Sequence, residues 1–367
     1  MTRTRVVIAG LGDSGLLVAI HLSRHADVVG ISSKPGLVSG QELGLRLSRP
    51  DVWRRDYWVP FERYRRLDRV RTIHATVTGL DAGRRRVHLT TADGTESEEP
   101  YDVLVIATGV TNGFWRTPAL ETARQVEERL GEINARLAAS RSVAVIGGGA
   151  AAVSSAWNIA TTWPGTQVDL YFPGERALTR HHPRVWTSLS RRLESAGVGI
   201  HPHHRAEVPD QVGDRIADAP IHWSTGQEPT TADAVLWTIG KVTPNTQWLP
   251  RDVLDEDGFV LTDEYLRVRG IAAAYSIGDV AATDPLRSSA RARADGLLAH
   301  NIRADLAGRR PRRFTPLKRR WGSLLGVQDD RLEVFSPTGR PFTIPAWSAL
   351  QPWIVGRGIY QGMRRSS

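Results

Sequence analysis

The sequence predicts an α/β chain with two parallel sheets, each entered by its own strand, glycine turn and helix. Three observations lead there. Val6-Val7-Ile8-Ala9 runs into Gly10-Leu11-Gly12-Asp13-Ser14-Gly15, then into an apolar stretch holding Leu16, Leu17, Ala19, Ile20 and Leu22. The same succession returns 137 residues later (Gly10 to Gly147), where Val143-Ala144-Val145-Ile146 meets Gly147-Gly148-Gly149. Three further apolar runs, residues 101–109, 234–240 and 274–279, also end at glycine or Gly-Asp. Such unbroken apolar runs suit parallel strands buried on both faces.

The first turn has the spacing Gly-x-Gly-x-x-Gly between a strand and a helix, which is Rossmann-like. Gly10 permits the tight turn, Gly12 lets a pyrophosphate approach the backbone, and Gly15 lets helix and strand pack closely. The phosphates then meet the positive helix end, beside Asp13 and Ser14. A tight turn without a ligand is the alternative. A second strand follows over residues 26–31, and here an acidic residue usually holds the ribose hydroxyls. This chain has Ser32-Ser33-Lys34-Pro35 instead. Serine still bonds a ribose hydroxyl, and Lys34 faces either a phosphate or solvent.

Residues 36–66 read as polar and irregular, with Gly36, Gly40 and Gly44 among Arg46, Arg49, Arg54 and Arg55. Residues 71–81 and 86–91 alternate as strands joined through Asp81-Ala82-Gly83, an excursion that sets Val77 beside the nucleotide. Asp93-Gly94 marks a hairpin turn. The run 101–109 ends in Ala107-Thr108-Gly109, small enough for a chain crossing to pass close to a bound nucleotide.

Residues 121–140 read as an amphipathic helix. The second glycine unit follows, with Ala152 in place of a third glycine, a helix over 153–160 and a strand over 168–172. The strand over 234–240 ends in Ile239-Gly240. Two such units argue for two dinucleotides. At Gly278-Asp279 the carboxylate either accepts a bond from a sugar hydroxyl or caps the helical stretch 288–306.

Composition narrows the chemistry. A chain of 367 residues with 41% hydrophobic content buries a large core and divides into two or more domains. It has no cysteine, which excludes a redox-active disulfide, a thiolate nucleophile and an iron–sulfur cluster. No run of about 18 apolar residues is present, and because the first residues lead straight into a strand no signal peptide is expected. The expected setting is cytoplasmic. A net charge of +9 fits anionic lipid, acidic partners or an arginine-rich surface; no recognition fold argues for nucleic acid. Basic runs at 309–313 and 318–320 precede a tail with Trp347, Leu350, Trp353, Ile354, Val355, Ile359, Tyr360 and Met363, then Arg364-Arg365. That tail suits peripheral contact with anionic membrane, or docking on the chain's own acceptor mouth or on a twin subunit as a homodimer. His181, His182, His201, His203 and His204 lack the carboxylate spacing of a metal site.

In this order the motifs resemble the two-dinucleotide-domain flavoproteins, the pyridine nucleotide-dependent FAD oxidoreductases. The resemblance rests on Gly10/Gly12/Gly15, Ala107-Thr108-Gly109, Gly147/Gly148/Gly149, Ile239-Gly240 and Gly278-Asp279. It implies an FAD domain in two segments, 1–112 and 243–310, an NAD(P)H domain at 113–242 and a basic, aromatic C-terminal region at 311–367. Without cysteines, the chain is similar to the quinone reductases related to apoptosis-inducing factor and ferroptosis suppressor, and more distantly to type II NADH dehydrogenases.

By that resemblance Gly278-Asp279 binds the ribityl and pyrophosphate region of FAD, and Arg46 lies near FAD. Ser154 stands where the family has Glu. The second strand of the NAD(P)H domain ends at Phe172-Pro173 without an acid, and Arg176 and Arg180 follow, which favours NADPH. The implied reaction takes hydride from NAD(P)H onto FAD and passes electrons to a quinone or similar small acceptor. Arg287 is the candidate to polarise the acceptor's carbonyl or neutralise reduced flavin. A biosynthetic or ferredoxin-type reductase with a dedicated partner, and a flavin- or nucleotide-binding regulator with a decayed nicotinamide site, are the competing readings.

Overall fold

The computed structural model describes residues 3–39, 43–112, 117–209, 216, 219–240, 242–287 and 293–364. The first sheet is parallel throughout, in the order Ala274–Ser276, Val103–Ile106, Arg5–Ala9, Asp27–Ser32, Val70–His74. Alternate residues point to opposite faces. Val6 and Ile8 pack with Leu16, Ile20, Leu298 and Ile302 beneath the helices Asp13–Leu22 and Ala294–Leu306. Val7, Ala9 and Ile106 pack on the other side with Val87, Leu89, Val260 and Val268. The second sheet is also parallel, in the order Val198–His201, Gln167–Tyr171, Ser142–Ile146, Ala234–Trp237. All its strands lie between the two stretches of chain that build the first sheet.

The strand expected over 71–81 is two strands. Val70–His74 belongs to the first parallel sheet, and Thr76–Asp81 opens an antiparallel sheet with Arg86–Thr90 and Glu96–Pro100. Ala75, which is buried, is where the chain changes sheets. The expectation of irregular chain over 36–66 is corrected as well. Leu43–Ser48 and Pro50–Tyr57 are helices, the second with Pro50 in its first turn, where a missing N–H costs nothing. Leu45, Leu47 and Trp53 bury their side chains there, hidden in sequence among arginines. Gly40 lies outside the described residues. Of the helical stretch expected at 288–306, Ala294–Leu306 is helical, and 288–292 lie outside the described residues.

The amphipathic helix forms as Ala123–Ala139. Thr122 and Gln125 close a capping box at its start, each side chain accepting from the other's backbone N–H. Thr122→Ala is expected to cost about 1 kcal/mol of stability, read as a lowered urea midpoint at unchanged slope.

The segment after residue 320 forms three antiparallel strands, Val327–Gln328, Arg331–Phe335 and Pro341–Ile344. A partly buried knot fixes it to the rest. Asn158 donates to the Leu325 carbonyl, Arg49 donates to Asn158 and to Gln328, and Gln328 donates to Asn158, all at 3.0–3.1 Å. The tail then returns to the first sheet's domain. Met363 bridges to Tyr64, the Tyr360 ring meets Tyr64 edge-on at 5.0 Å, and Arg364 pairs with Asp68 at 2.7 Å. Arg365 lies outside the described residues.

Candidate functional site

A cavity of about 1580 Å³ runs between the carboxyl ends of the two sheets, and both glycine turns line it. At the first turn Gly10 holds φ +102°, and a Cβ there would overlap the Ala107 carbonyl. Gly15 does not line the cavity. A Cβ on it would overlap the Gly10 carbonyl, so its glycine serves helix–strand packing. Gly12 lines the cavity, and a methyl placed on its Cα would find no protein atom within 4 Å. That open ground at a helix N-terminus fits a pyrophosphate, and it is where the residues present match FAD. Asp13 and Ser14 line the same wall, with Asp13 accepting from Ser39 Oγ at 2.9 Å. Gly278, at φ +86°, faces Ser14 across the loop, and Asp279 lines the cavity beside it.

Ala107, Thr108 and Gly109 line the cavity where the chain crosses over. Thr108 Oγ1 donates to the Asn245 carbonyl at 2.8 Å, and Asn245 Nδ2 returns a bond to the Thr108 carbonyl at 3.0 Å. Val77 lines the wall with its neighbours Ala75, Thr76 and Thr78. Arg46 also lines the cavity. It is 3% exposed, its guanidinium 4.8 Å from the Trp53 ring centre.

Ser32, Ser33 and Lys34 line the cavity at the end of the second strand. Of the two alternatives expected for Lys34, the solvent-facing one is corrected. Its ammonium pairs with Glu121 at 2.8 Å and donates to the carbonyls of Thr117 and Ala119, and its side chain is 11% exposed. Arg129 pairs with the same carboxylate at 3.1 Å. Burial holds the Lys34 pKa below the ordinary lysine value, and Glu121 opposes that shift. Glu121 and Arg129 are not legible in the sequence as site residues, because on an amphipathic helix they look like any solvated charge.

In the second turn Gly147, at φ +138°, stays outside the cavity; a Cβ there would overlap the Thr238 carbonyl. Gly148 and Gly149 line it, and Gly149 has open space where Gly12 has it. Ser154 lines the cavity while its Oγ accepts from the Gly44 N–H at 3.1 Å, seating the Leu43–Ser48 helix on Ala150–Thr162. Arg176 and Arg180 line the wall beyond Phe172-Pro173, joined by Arg205, which the sequence did not single out. Ile239 and Gly240 complete that end.

Between the two ends Arg287 lines the cavity with left-handed backbone, φ +48°, its guanidinium 4.1 Å from the Phe259 ring centre. Arg320, Trp321, Ser323 and Leu324 line it too. No described residue of the tail beyond Leu324 does, so the tail docks on the protein away from the cavity mouth. Of the histidines, His201 pairs with Asp169 at 2.7 Å and stacks on Tyr171. Among the described residues no group of three His, Asp or Glu is placed to hold a metal.

Residues 4–296 match the pyridine nucleotide-disulphide oxidoreductase family. The chain is 26% identical to ferroptosis suppressor protein 1 of Xenopus tropicalis, over 85% of this chain and 83% of that one. Its fold resembles reduced CoADR-RHD of Bacillus anthracis with TM-score 0.68 at 16% identity, over 96% of this chain and 64% of that longer one. It also resembles an engineered water-forming NADPH oxidase bound to NADPH, TM-score 0.65 at 18% identity, over 90% of this chain and 74% of that one. With the family match spanning most of its length, the chain belongs to the pyridine nucleotide-disulphide oxidoreductases, FAD-dependent enzymes of NAD(P)H, although it carries no cysteine.

Proposed function

We propose that the chain takes hydride from NADPH onto FAD and passes the electrons to a quinone or similar small acceptor. One observation carries this reading: a single cavity reaches both glycine turns, so two dinucleotides bound there meet inside it. FAD, when bound, supplies the hydride-accepting and electron-donating chemistry. The protein orients and shields. Gly12 and the N-terminus of Asp13–Leu22 hold the FAD pyrophosphate, Asp279 the ribityl chain, and Ser32 and Ser33 the ribose. Gly148 and Gly149 hold the nicotinamide dinucleotide's phosphates. Arg287 presents its guanidinium to the acceptor carbonyl. The division at 1–112, 113–242, 243–310 and 311–367 goes with this assignment, and the insertion of all second-sheet strands within the first sheet's chain supports it.

NADPH is favoured over NADH because Arg176, Arg180 and Arg205 share the wall where no acid ends the strand. The engineered NADPH oxidase carries substitutions that remove an aspartate and add two arginines. The missing cysteines leave no disulfide relay, so electrons leave the flavin directly for the acceptor.

Anaerobic stopped-flow mixing tests the reading. NADPH is expected to bleach the flavin faster than NADH, and a short-chain quinone to restore the colour. Flavin that neither nucleotide bleaches would sink the hydride step. Bleached flavin that only an added carrier protein reoxidises would replace the quinone with a ferredoxin-type partner. The reading extends to peripheral contact of the tail with anionic membrane. Exposed Trp353, Ile354 and Ile359 support it, and among the described residues no helix is long and apolar enough to cross a bilayer.

A further inference from the structure

We infer that a second pocket, lined by Arg24, His25, Arg66 and Arg303, takes the phosphate of an anionic phospholipid headgroup while the tail's apolar side chains enter the bilayer beside it. The inference rests on the membrane-contact reading and adds a specific site to it. The pocket holds about 250 Å³ between the end of helix Asp13–Leu22, the turn Arg65–Arg69 and helix Ala294–Leu306. His21 and Gln361 complete its wall, and among the described residues no acid lines it. The Asp295 carboxylate is engaged by His21 at 2.9 Å.

Cations gathered without a counter-ion repel one another, and the surroundings record it. Arg303 donates to His25 at 3.2 Å, and the His25 pKa is held below the ordinary histidine value by burial, then by Arg303, Arg24 and Arg3. Arg66 is lowered by burial, then by Arg24 and Arg69. A bound phosphate relieves this repulsion with charge-assisted bonds to several donors at once.

The apolar half joins the pocket through Gln361. Gln361 meets His21 at 3.3 Å from within the tail. Ile359 stands two residues before it, a span of at most about 7 Å. Ile359 is 46% exposed and Trp353 62%, and Arg357 lies 5.4 Å from the Trp353 ring centre. Phosphate and hydrocarbon a few ångströms apart are what an anionic bilayer surface presents. A soluble phosphate would leave the apolar side chains in water.

The test is co-sedimentation of the flavin-loaded protein with vesicles of phosphatidylcholine, alone or mixed with phosphatidylglycerol. Binding is expected to the mixed vesicles only. The Arg24→Gln/Arg303→Gln protein is expected to bind about thirtyfold more weakly, and Trp353→Ser/Ile359→Ser also to lose binding. Both variants are expected to keep wild-type flavin bleaching, since none of the four residues lines the large cavity, and thermal melting checks that they fold. If the arginine variant binds like wild type while the Trp353/Ile359 variant does not, the pocket is overturned and the membrane contact survives. If neither vesicle binds wild type, both fall. Inorganic phosphate that binds as tightly as the mixed vesicles, by calorimetric titration, would assign the pocket to a soluble anion and overturn the proposal. A dimer dissolved by Trp353→Ser, with no vesicle binding, would overturn it in favour of a second copy.

Discussion

Alanine at Gly10 is expected to yield a protein that purifies without yellow colour. The backbone there holds φ +102°, a conformation that costs an L side chain about 1–3 kcal/mol. The new methyl would also overlap the Ala107 carbonyl, and that carbonyl cannot retreat. The Ala107 N–H donates to the Ala9 carbonyl at 2.8 Å, and Thr108 is pinned to Asn245. Strain and overlap together are expected to cost about 3 kcal/mol or more, with the turn no longer shaped for a pyrophosphate. Gly12→Ala makes the contrasting case, because nothing in the protein lies near its methyl. It should melt like wild type yet bind FAD at least about tenfold more weakly, the methyl standing where the phosphates go. Thermal melting and FAD titration of the two apoproteins check both expectations. Full FAD affinity in Gly12→Ala would remove the phosphate from that ground.

The second large effect concerns the nicotinamide nucleotide. Arg176→Ala/Arg205→Ala is expected to lower kcat/KM for NADPH by about 100-fold, since a hydrogen bond to a charged group contributes about 1.5–3 kcal/mol. NADH should change by less than about threefold, having no 2′-phosphate to lose. Arg176 also donates to the Leu178 carbonyl at 3.3 Å, so part of its role is to hold the loop. Steady-state rates with both nucleotides separate the two roles. An equal fall for NADH and NADPH would make the arginines loop supports and withdraw the preference.

Both glycine turns are legible in the sequence because their requirement is local. The positive φ at Gly10 and Gly147, and the open ground at Gly12 and Gly149, belong to one strand–helix connection each. Gly15 serves the helix–strand packing its spacing predicts, while the crowding of Gly147 by the Thr238 carbonyl shows only in the packing. Lys34 is legible as unusual, but its partner Glu121 lies far along the chain, just before the helix Ala123–Ala139, which no local pattern announces. Arg205 and Arg320 reach the cavity by tertiary folding alone. The helices over residues 43–57 escape a periodicity reading because their apolar residues are few and interrupted by arginine, while their stability comes from packing against Ala150–Thr162 and Ala123–Ala139. The tail's docking is out of reach for the same reason: Arg364 finds Asp68 across 296 residues.

The edge strand Ala274–Ser276 has a consequence for how the protein is made. It completes the first sheet by joining Val103–Ile106, and Ser276 Oγ reaches the Ile106 carbonyl across 170 residues of chain. A ribosome adding about 5–20 residues per second needs roughly ten to thirty seconds to cover that distance. Throughout that interval the Val103–Ile106 strand has one side unpaired, an invitation to sticky association with other nascent chains. The second sheet, whose strands all lie within 142–237, closes before the first one can. Translation stalled short of residue 274 therefore leaves a finished inner sheet beside an unfinished outer one, the state a chaperone would be called on to hold.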